Sequence, residues 1–285
     1  MPIACERHRE RQSPCSPQCS GLRFPNRFPI VMRRAEEKSL KPLAPLLAMP
    51  RIAQSCLTNR LLTLLSTSDF AYLEPHLEPV NLELNTIVVA ASKPIEHAYF
   101  LESGIVSVVA CRADAQVIEV GIHGREGMGG FPLLLGSDQS PHDQYMQLPG
   151  AGHRIKTAAF LSAVQQCQTI NRLLLRYVHS FTTQTAQTAL ANSGNNIDER
   201  LARWLLMCHD RIDGDALPLT HKFLSMMLGV RRSGVTDTIH ILEGRGLIRA
   251  TRGQIIICNR AKLERLAGAA YGLPEAEYRR LIGEF

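Results

Sequence analysis

Hydrophobic positions along this chain follow two different periods. Between residues 81 and 122 the apolar residues come in short runs, at 81–84, 86–90, 97–101, 105–111 and 117–122. Turn-like breaks at Glu102-Ser103-Gly104 and Arg112-Ala113-Asp114 separate the later runs. Short strands in close succession predict a small antiparallel barrel or jelly roll. Elsewhere the spacing is helical. Leu61, Leu62, Leu64 and Leu65 mark one short helix, residues 69–73 a second and residues 157–164 a third. Residues 169–192 hold neither Pro nor Gly and read as one long helix, with Ile170, Leu173, Leu174, Tyr177, Phe181, Thr185, Thr188 and Ala189 as its apolar stripe. A helix of that length between a β module and a further module is placed to dimerise, with packing on its own barrel as the alternative.

The most specific pattern lies beyond residue 216. Thr220 can cap a helix whose buried face is Phe223, Leu224, Met227 and Leu228. Gly229 follows, where a tight turn between crossed helices favours a residue tolerant of positive φ. In the next helix Val235, Ile239 and Leu242 repeat at i, i+4 and i+7, and Arg232, Ser233, Thr236, Asp237 and His240 take the other face. Gly244-Arg245-Gly246 ends that helix, and residues 247–257 read as two short strands around Arg252-Gly253. Helix, turn, helix and basic hairpin in this order predict a winged helix-turn-helix. Its second helix would enter the major groove of double-stranded DNA. Arg231 and Arg232 stand at that helix's N-terminus, Ser233, Thr236 and Asp237 follow on its polar face, and Arg252 lies on the wing. With the cap Thr220, and with Val230, which only a family resemblance places there, these are the expected DNA-binding residues. An arginine at such a helix start can make a bidentate contact with guanine.

Charge supports this division. Between residues 217 and 265 nine Lys/Arg face only Asp237, Glu243 and Glu264, which suits phosphate neutralisation. Residues 51–194 are net acidic by two, while residues 1–50 and 195–285 are net basic by five and three. The expected fold class is α+β, in four parts. Residues 1–50, rich in Pro and scattered Arg, form a disordered or over-extended start. Residues 51–168 form a β jelly-roll effector domain, 169–194 the dimerisation helix, and 195–285 the DNA-binding domain. No apolar run has the length of a membrane span and no apolar signal core opens the chain, so a soluble, cytoplasmic protein is expected.

With those residues in view, positions 55–270 resemble the Crp/Fnr superfamily of transcription regulators. The match is strongest over 220–253, including Leu228-Gly229-Val230-Arg231-Arg232, Leu242-Glu243 and Gly246-Leu247-Ile248. The resemblance implies a jelly-roll effector domain, a dimerisation helix and a homodimer placing one recognition helix in each half-site, with RNA polymerase as a candidate partner. Cyclic-nucleotide-binding members hold the ribose with a glutamate and the cyclic phosphate with an arginine. Here Gly127-Met128-Gly129-Gly130-Phe131 puts Gly130 at the glutamate position, and residues 140–145 contain Asp143 and no arginine. Burying an anion without a counter-charge is costly, so neither cAMP nor cGMP is expected as effector. No cofactor is predicted, and the small-molecule effector is unknown.

Two alternatives remain open. A redox-responsive regulator would use some of Cys5, Cys15, Cys19, Cys56, Cys111, Cys167, Cys208 and Cys258, but the first three lack the compact spacing of a cluster-binding loop. A metal-dependent enzyme on the jelly roll would need clustered ligands, and the strands offer only His97 and His123 with Glu96 and Glu119. A jelly-roll protein-interaction module is the third class, opposed by the intact arginines of the second helix. Neither a phosphate loop nor a nucleophile elbow is found, so no catalytic residue and no metal site is assigned.

Overall fold

The computed structural model describes residues 52–111 and 117–284. The expectation for residues 1–50, the cysteines 5, 15 and 19, and the predicted turn at 112–114 lie outside them. Two short helices, α1 (Arg60–Thr63) and α2 (Thr67–Leu73), lead into eight strands. These are β1 (Glu78–Leu82), β2 (Ile87–Val89), β3 (His97–Leu101), β4 (Ile105–Cys111), β5 (Val117–His123), β6 (Met128–Gly129), β7 (Asp143–Leu148) and β8 (Gly150–Lys156). They form two antiparallel four-stranded sheets in the orders β1-β8-β3-β6 and β2-β7-β4-β5, the jelly roll expected from the short runs. The interval 81–90 is not two abutting strands: Asn85, at φ 65°, turns the chain between β1 and β2.

Helices α3 (Thr157–Gln166) and α4 (Gln168–Gly194) follow the barrel. Ile170, Leu174, Tyr177, Val178 and Phe181 of α4 join the barrel core with Phe100, Met128, Met146 and Phe160. Most of the stripe read from the sequence therefore packs on this chain's own barrel. Ala189 is exposed, and Thr185 and Thr188 donate to the carbonyls of Phe181 and Gln184 at 3.1 and 2.9 Å.

The remaining elements are α5 (Ile197–His209), β9 (Ala216–Leu217), α6 (His221–Leu228), α7 (Arg232–Gly244), β10 (Ile248–Thr251), β11 (Gln254–Ile257), α8 (Arg260–Ala267) and α9 (Leu273–Leu281). Asn196 starts α5 with a capping box to Glu199. The core of this part does not stand alone. Leu201, Leu205, Leu224, Met227, Val235 and Ile239 share one cluster with Ile105, Val109, Ile122, Tyr145 and Leu148 from the outer face of the barrel. Two polar ties reinforce the joint. Arg211 and Glu126, both nearly inaccessible, pair at 2.8 Å, and the Tyr278 hydroxyl of α9 donates to the Glu126 carbonyl at 2.8 Å. Helix α9, not anticipated from the sequence, thus straps the far end of the chain back onto the barrel.

Candidate nucleic-acid interface

Helix α6 begins at Thr220, whose hydroxyl accepts from the Phe223 amide at 3.2 Å. It ends at Gly229, at φ 63°, where the Gly229 and Val230 amides donate to the Met226 and Ser225 carbonyls. A side chain at Gly229 would be strained in that left-handed conformation and would meet Ile118 of β5 at 3.5 Å. The turn delivers α7 with Arg231 as its N-cap residue. Val230 and Arg231 therefore precede the helix, and Arg232 opens it.

Val235, Thr238, Ile239 and Leu242 are the buried face of α7, as its period requires. Arg231, Arg232, Ser233, Asp237 and His240 are exposed, and Thr236 is half-buried. Thr236 turns inward because its hydroxyl donates to the Arg232 carbonyl at 3.0 Å and lies 3.1 Å from His221 Nδ1 on α6. Thr236 thus locks the angle between the two helices, and the exposed row at Arg231, Arg232, Ser233 and Asp237 is left to meet a ligand. Ile241 is exposed as well, so the outward face is not wholly polar.

Strands β10 and β11 pair antiparallel, Thr251 opposite Gln254, with Gly253 at φ 76° in the turn. Arg249, Thr251 and Arg252 are exposed on this wing. Glu243 Oε1, at the end of α7, accepts the Ala250 amide at 2.7 Å and fixes the wing to the helix. Strand β9, which sequence reasoning missed because two residues carry no period, completes a three-stranded sheet beside β11. Thr220, Arg231, Arg232, Ser233, Asp237 and Arg252 all lie exposed on neighbouring elements of one small unit, with Val230 and Thr236 half-buried between them.

Around residues 127–131, where the sequence argues against cyclic-nucleotide chemistry, aromatic rings of α4 pack against the barrel. Phe131 lies 4.7 Å from Phe181 of α4, and the Tyr177 hydroxyl donates to the Met128 carbonyl at 3.3 Å. A Cβ on Gly127 would sit 2.5 Å from that hydroxyl oxygen, so the segment must be glycine to let Tyr177 in. Gly130 adopts φ 80°. Asp143 is a structural group, its carboxylate accepting the Ala91 amide at 2.7 Å.

The candidate metal ligands scatter. His123 is fully buried, with both ring nitrogens lacking a hydrogen bond, and burial presses its pKa down to about 3. Glu119 is buried against the DNA-binding unit, and His97 belongs to the other sheet, opposite Lys156. Among the described residues no three His, Cys, Asp or Glu side chains converge as a metal site. Cys56, Cys111 and Cys258 are exposed; Cys167 donates to Asp69 at 3.0 Å, and Cys208 is buried.

Comparison with known proteins agrees with this geometry. Residues 199–266 match the Crp-like helix-turn-helix domain family. No curated protein matches the chain by sequence. Among solved structures, it resembles a transcriptional regulator of the Crp/Fnr family from Eubacterium rectale at TM-score 0.59 and 16% identity, over 74% of this chain and 98% of the other. FixK2 from Bradyrhizobium japonicum aligns at 0.59 and 18%, over 68% and 99%. The c-di-GMP-responsive regulator CLP from Xanthomonas campestris aligns at 0.53 and 17%, over 67% and 99%. At these identities the likeness is one of fold.

Proposed function

We propose that this chain, whose fold and helix-turn-helix domain are similar to those of Crp-type transcription regulators, acts as a homodimer that reads a near-palindromic DNA site with two copies of α7. The observation that carries this reading is the exposed row Arg231, Arg232, Ser233 and Asp237 at the start of a helix whose other face is buried. An α-helix presented by its N-terminal residues is the shape that reads base edges in the major groove. Arg249 and Arg252 on the wing supply sequence-independent contacts to phosphate.

The second copy has a surface of its own on α4. Arg172, Leu175, His179, Thr182, Ala186 and Ala189 are all exposed, and they recur at intervals of 3, 4, 3, 4 and 3 residues. That is the spacing of a coiled-coil seam. It runs on the face opposite Ile170, Leu174, Tyr177 and Phe181, which the barrel covers. Leu175, 40% exposed, is its apolar member, and the small residues toward the C-terminal end permit close approach. Of the stripe read from the sequence only Ala189 lies on this seam; the dimer contact we propose otherwise uses the other side of the same helix.

We further propose that the barrel does not answer to cAMP. Phe131 packs on Phe181 of α4 and Tyr177 bonds to the Met128 carbonyl, while Gly130 stands in place of a glutamate for the ribose and residues 140–145 hold no arginine for the cyclic phosphate. Calorimetric titration with cAMP should show no saturable heat at micromolar ligand; saturable binding lost on a Phe131 substitution would overturn the reading. We place the protein in the cytoplasm, where its DNA lies; no helix among the described residues is long and apolar enough to cross a membrane. DNA binding itself is tested by retention of random genomic fragments on the wild type against Arg231→Ala/Arg232→Ala. Equal retention would contradict it.

A further inference from the structure

A chain of hydrogen bonds crosses the joint between the barrel and the DNA-binding unit. It starts at Trp204 of α5, whose indole N–H donates to Glu119 Oε1 of β5 at 2.5 Å. The other carboxyl oxygen, Glu119 Oε2, lies 2.6 Å from Ser107 Oγ of β4, and Ser107 Oγ lies 2.6 Å from Gln147 Oε1 of β7. Gln147 Nε2 then reaches back to Cys208 Sγ of α5 at 3.5 Å. Ser107, Glu119, Gln147, Trp204 and Cys208 are all buried.

Counting protons along this chain decides its state. Ser107 Oγ has one proton and stands at bonding distance from two oxygens. The amide oxygen of Gln147 only accepts, so Ser107 must donate to it. The short contact to Glu119 Oε2 then needs a proton from the carboxyl itself. With the amide oriented this way, the chain runs from Glu119 to Ser107 to Gln147 and closes when Glu119 is neutral. Removing that proton turns Ser107 toward the carboxylate and leaves two oxygens facing at Gln147, unless the amide reverses and gives up its N–H contact to Cys208.

We propose that Glu119 is a proton-operated catch between the barrel and the DNA-binding unit, closed when its carboxyl is neutral and loosened when it ionises. The catch sits inside the joint between the two parts. Trp204 and Cys208 belong to the first helix of the DNA-binding unit, and Met227 of α6 lies 3.8 Å from Ser107 Oγ. Burial raises the Glu119 pKa most, and the bonds from Ser107 and Trp204 together with Arg203 and Arg211 lower it; the net effect is an upward shift to about 7. The other ionisable groups facing it are Tyr145 of β7 and Cys208, both pushed upward by burial, and Arg200 lines the same small void. None of these named neighbours is a carboxylic acid or a histidine. A rise in pH through neutrality therefore introduces one negative charge into the joint.

Trp204 is the single tryptophan of the chain and lies inside the catch, so its emission reads the joint directly. Wild-type protein titrated from mildly acidic to mildly alkaline pH should show a reversible red shift with a one-proton midpoint near neutrality. Glu119→Gln keeps an acceptor for the indole and cannot ionise, so its emission should stay at the acidic position throughout. Should that variant fail to fold, Ser107→Ala removes a donor to the ionised carboxylate and should move the midpoint to higher pH. A flat wild-type titration, the same transition in Glu119→Gln, or an unmoved midpoint in Ser107→Ala would each overturn the proposal. The readout needs no DNA, so the catch and the DNA-reading function fail separately.

Discussion

Arg232 and Arg252 carry like charges on one small unit, yet they should behave differently. Arg232 opens α7; in the proposed reading it meets base edges, where a bidentate contact with guanine gives about 1–3 kcal/mol of discrimination. Arg232→Ala should therefore reduce affinity on a matched site by roughly 10- to 100-fold and on a scrambled site much less. Arg252, exposed beside Gly253 at the wing turn, should weaken both alike and reduce the salt dependence of binding. Competition binding at two salt concentrations separates the two, and equal losses on both sites for Arg232→Ala would remove it from base reading. Gly229 makes a stability prediction. At φ 63° an alanine is strained by about 1–2 kcal/mol, so Gly229→Ala should lower the thermal midpoint even though the position has no exposed polar group.

At the scale of elements, the barrel covers one face of α4, and the other turns away from it, with His179 lying 3.1 Å from Glu277 of α9. Leu175 and Ala186 lie on that second face. Replacing Ala186 by Arg should shift sedimentation toward monomer and weaken DNA binding while leaving the unfolding transition nearly unchanged, because the position is exposed. A dimer that survives this change would move the interface elsewhere. The sequence made the length of this helix legible through its lack of Pro and Gly, but not which neighbour covers which face. Amphipathic period reports that a face is buried, not by what.

The same physics separates the elements that were readable from those that were not. Helices α6 and α7 and the wing are local structures, announced by the cap at Thr220, the turn at Gly229 and the hairpin at Arg252-Gly253. Strands β7 and β8 escaped notice because barrel packing breaks their alternation. Gln144 and Gln147 are buried in β7, and β8 carries Gly150 and Gly152, where a Cβ would come 2.1 Å from the Ser103 carbonyl and 2.4 Å from that of Phe100. Helix α9 shows its amphipathic face only through Pro274, Glu275 and Tyr278, and a half-polar buried set gives no recognisable stripe. Glu119 and Trp204 lie 85 residues apart and meet only in the folded chain. No spacing rule joins them.

Across the whole molecule the barrel and the DNA-binding unit form one continuous body. Glu126 and Arg211 are a buried pair spanning the joint, and removing one partner leaves the other charge buried alone, at a cost of about 3–5 kcal/mol. Arg211→Met should lower the midpoint of chemical denaturation accordingly, whereas Arg125→Met, which breaks the solvent-facing pair with Asp213, should change it little. The pH dependence of stability has a defined sign. Glu119 holds its proton more tightly folded than unfolded, so its contribution is most favourable below the ordinary carboxylate range, falls as pH rises from there to about 7, and is level above that. Glu119→Gln should flatten that decline in denaturation experiments across the interval.

The central claim is that two copies of α7 read DNA together across a two-fold axis. Sequencing of DNA fragments selected from a random pool by the purified protein tests it most directly. The account predicts one enriched motif with inverted half-sites centred about one helical turn apart, and no enrichment with Arg231→Ala/Arg232→Ala. Fragments retained without any motif, or a motif lacking inverted symmetry, would contradict it.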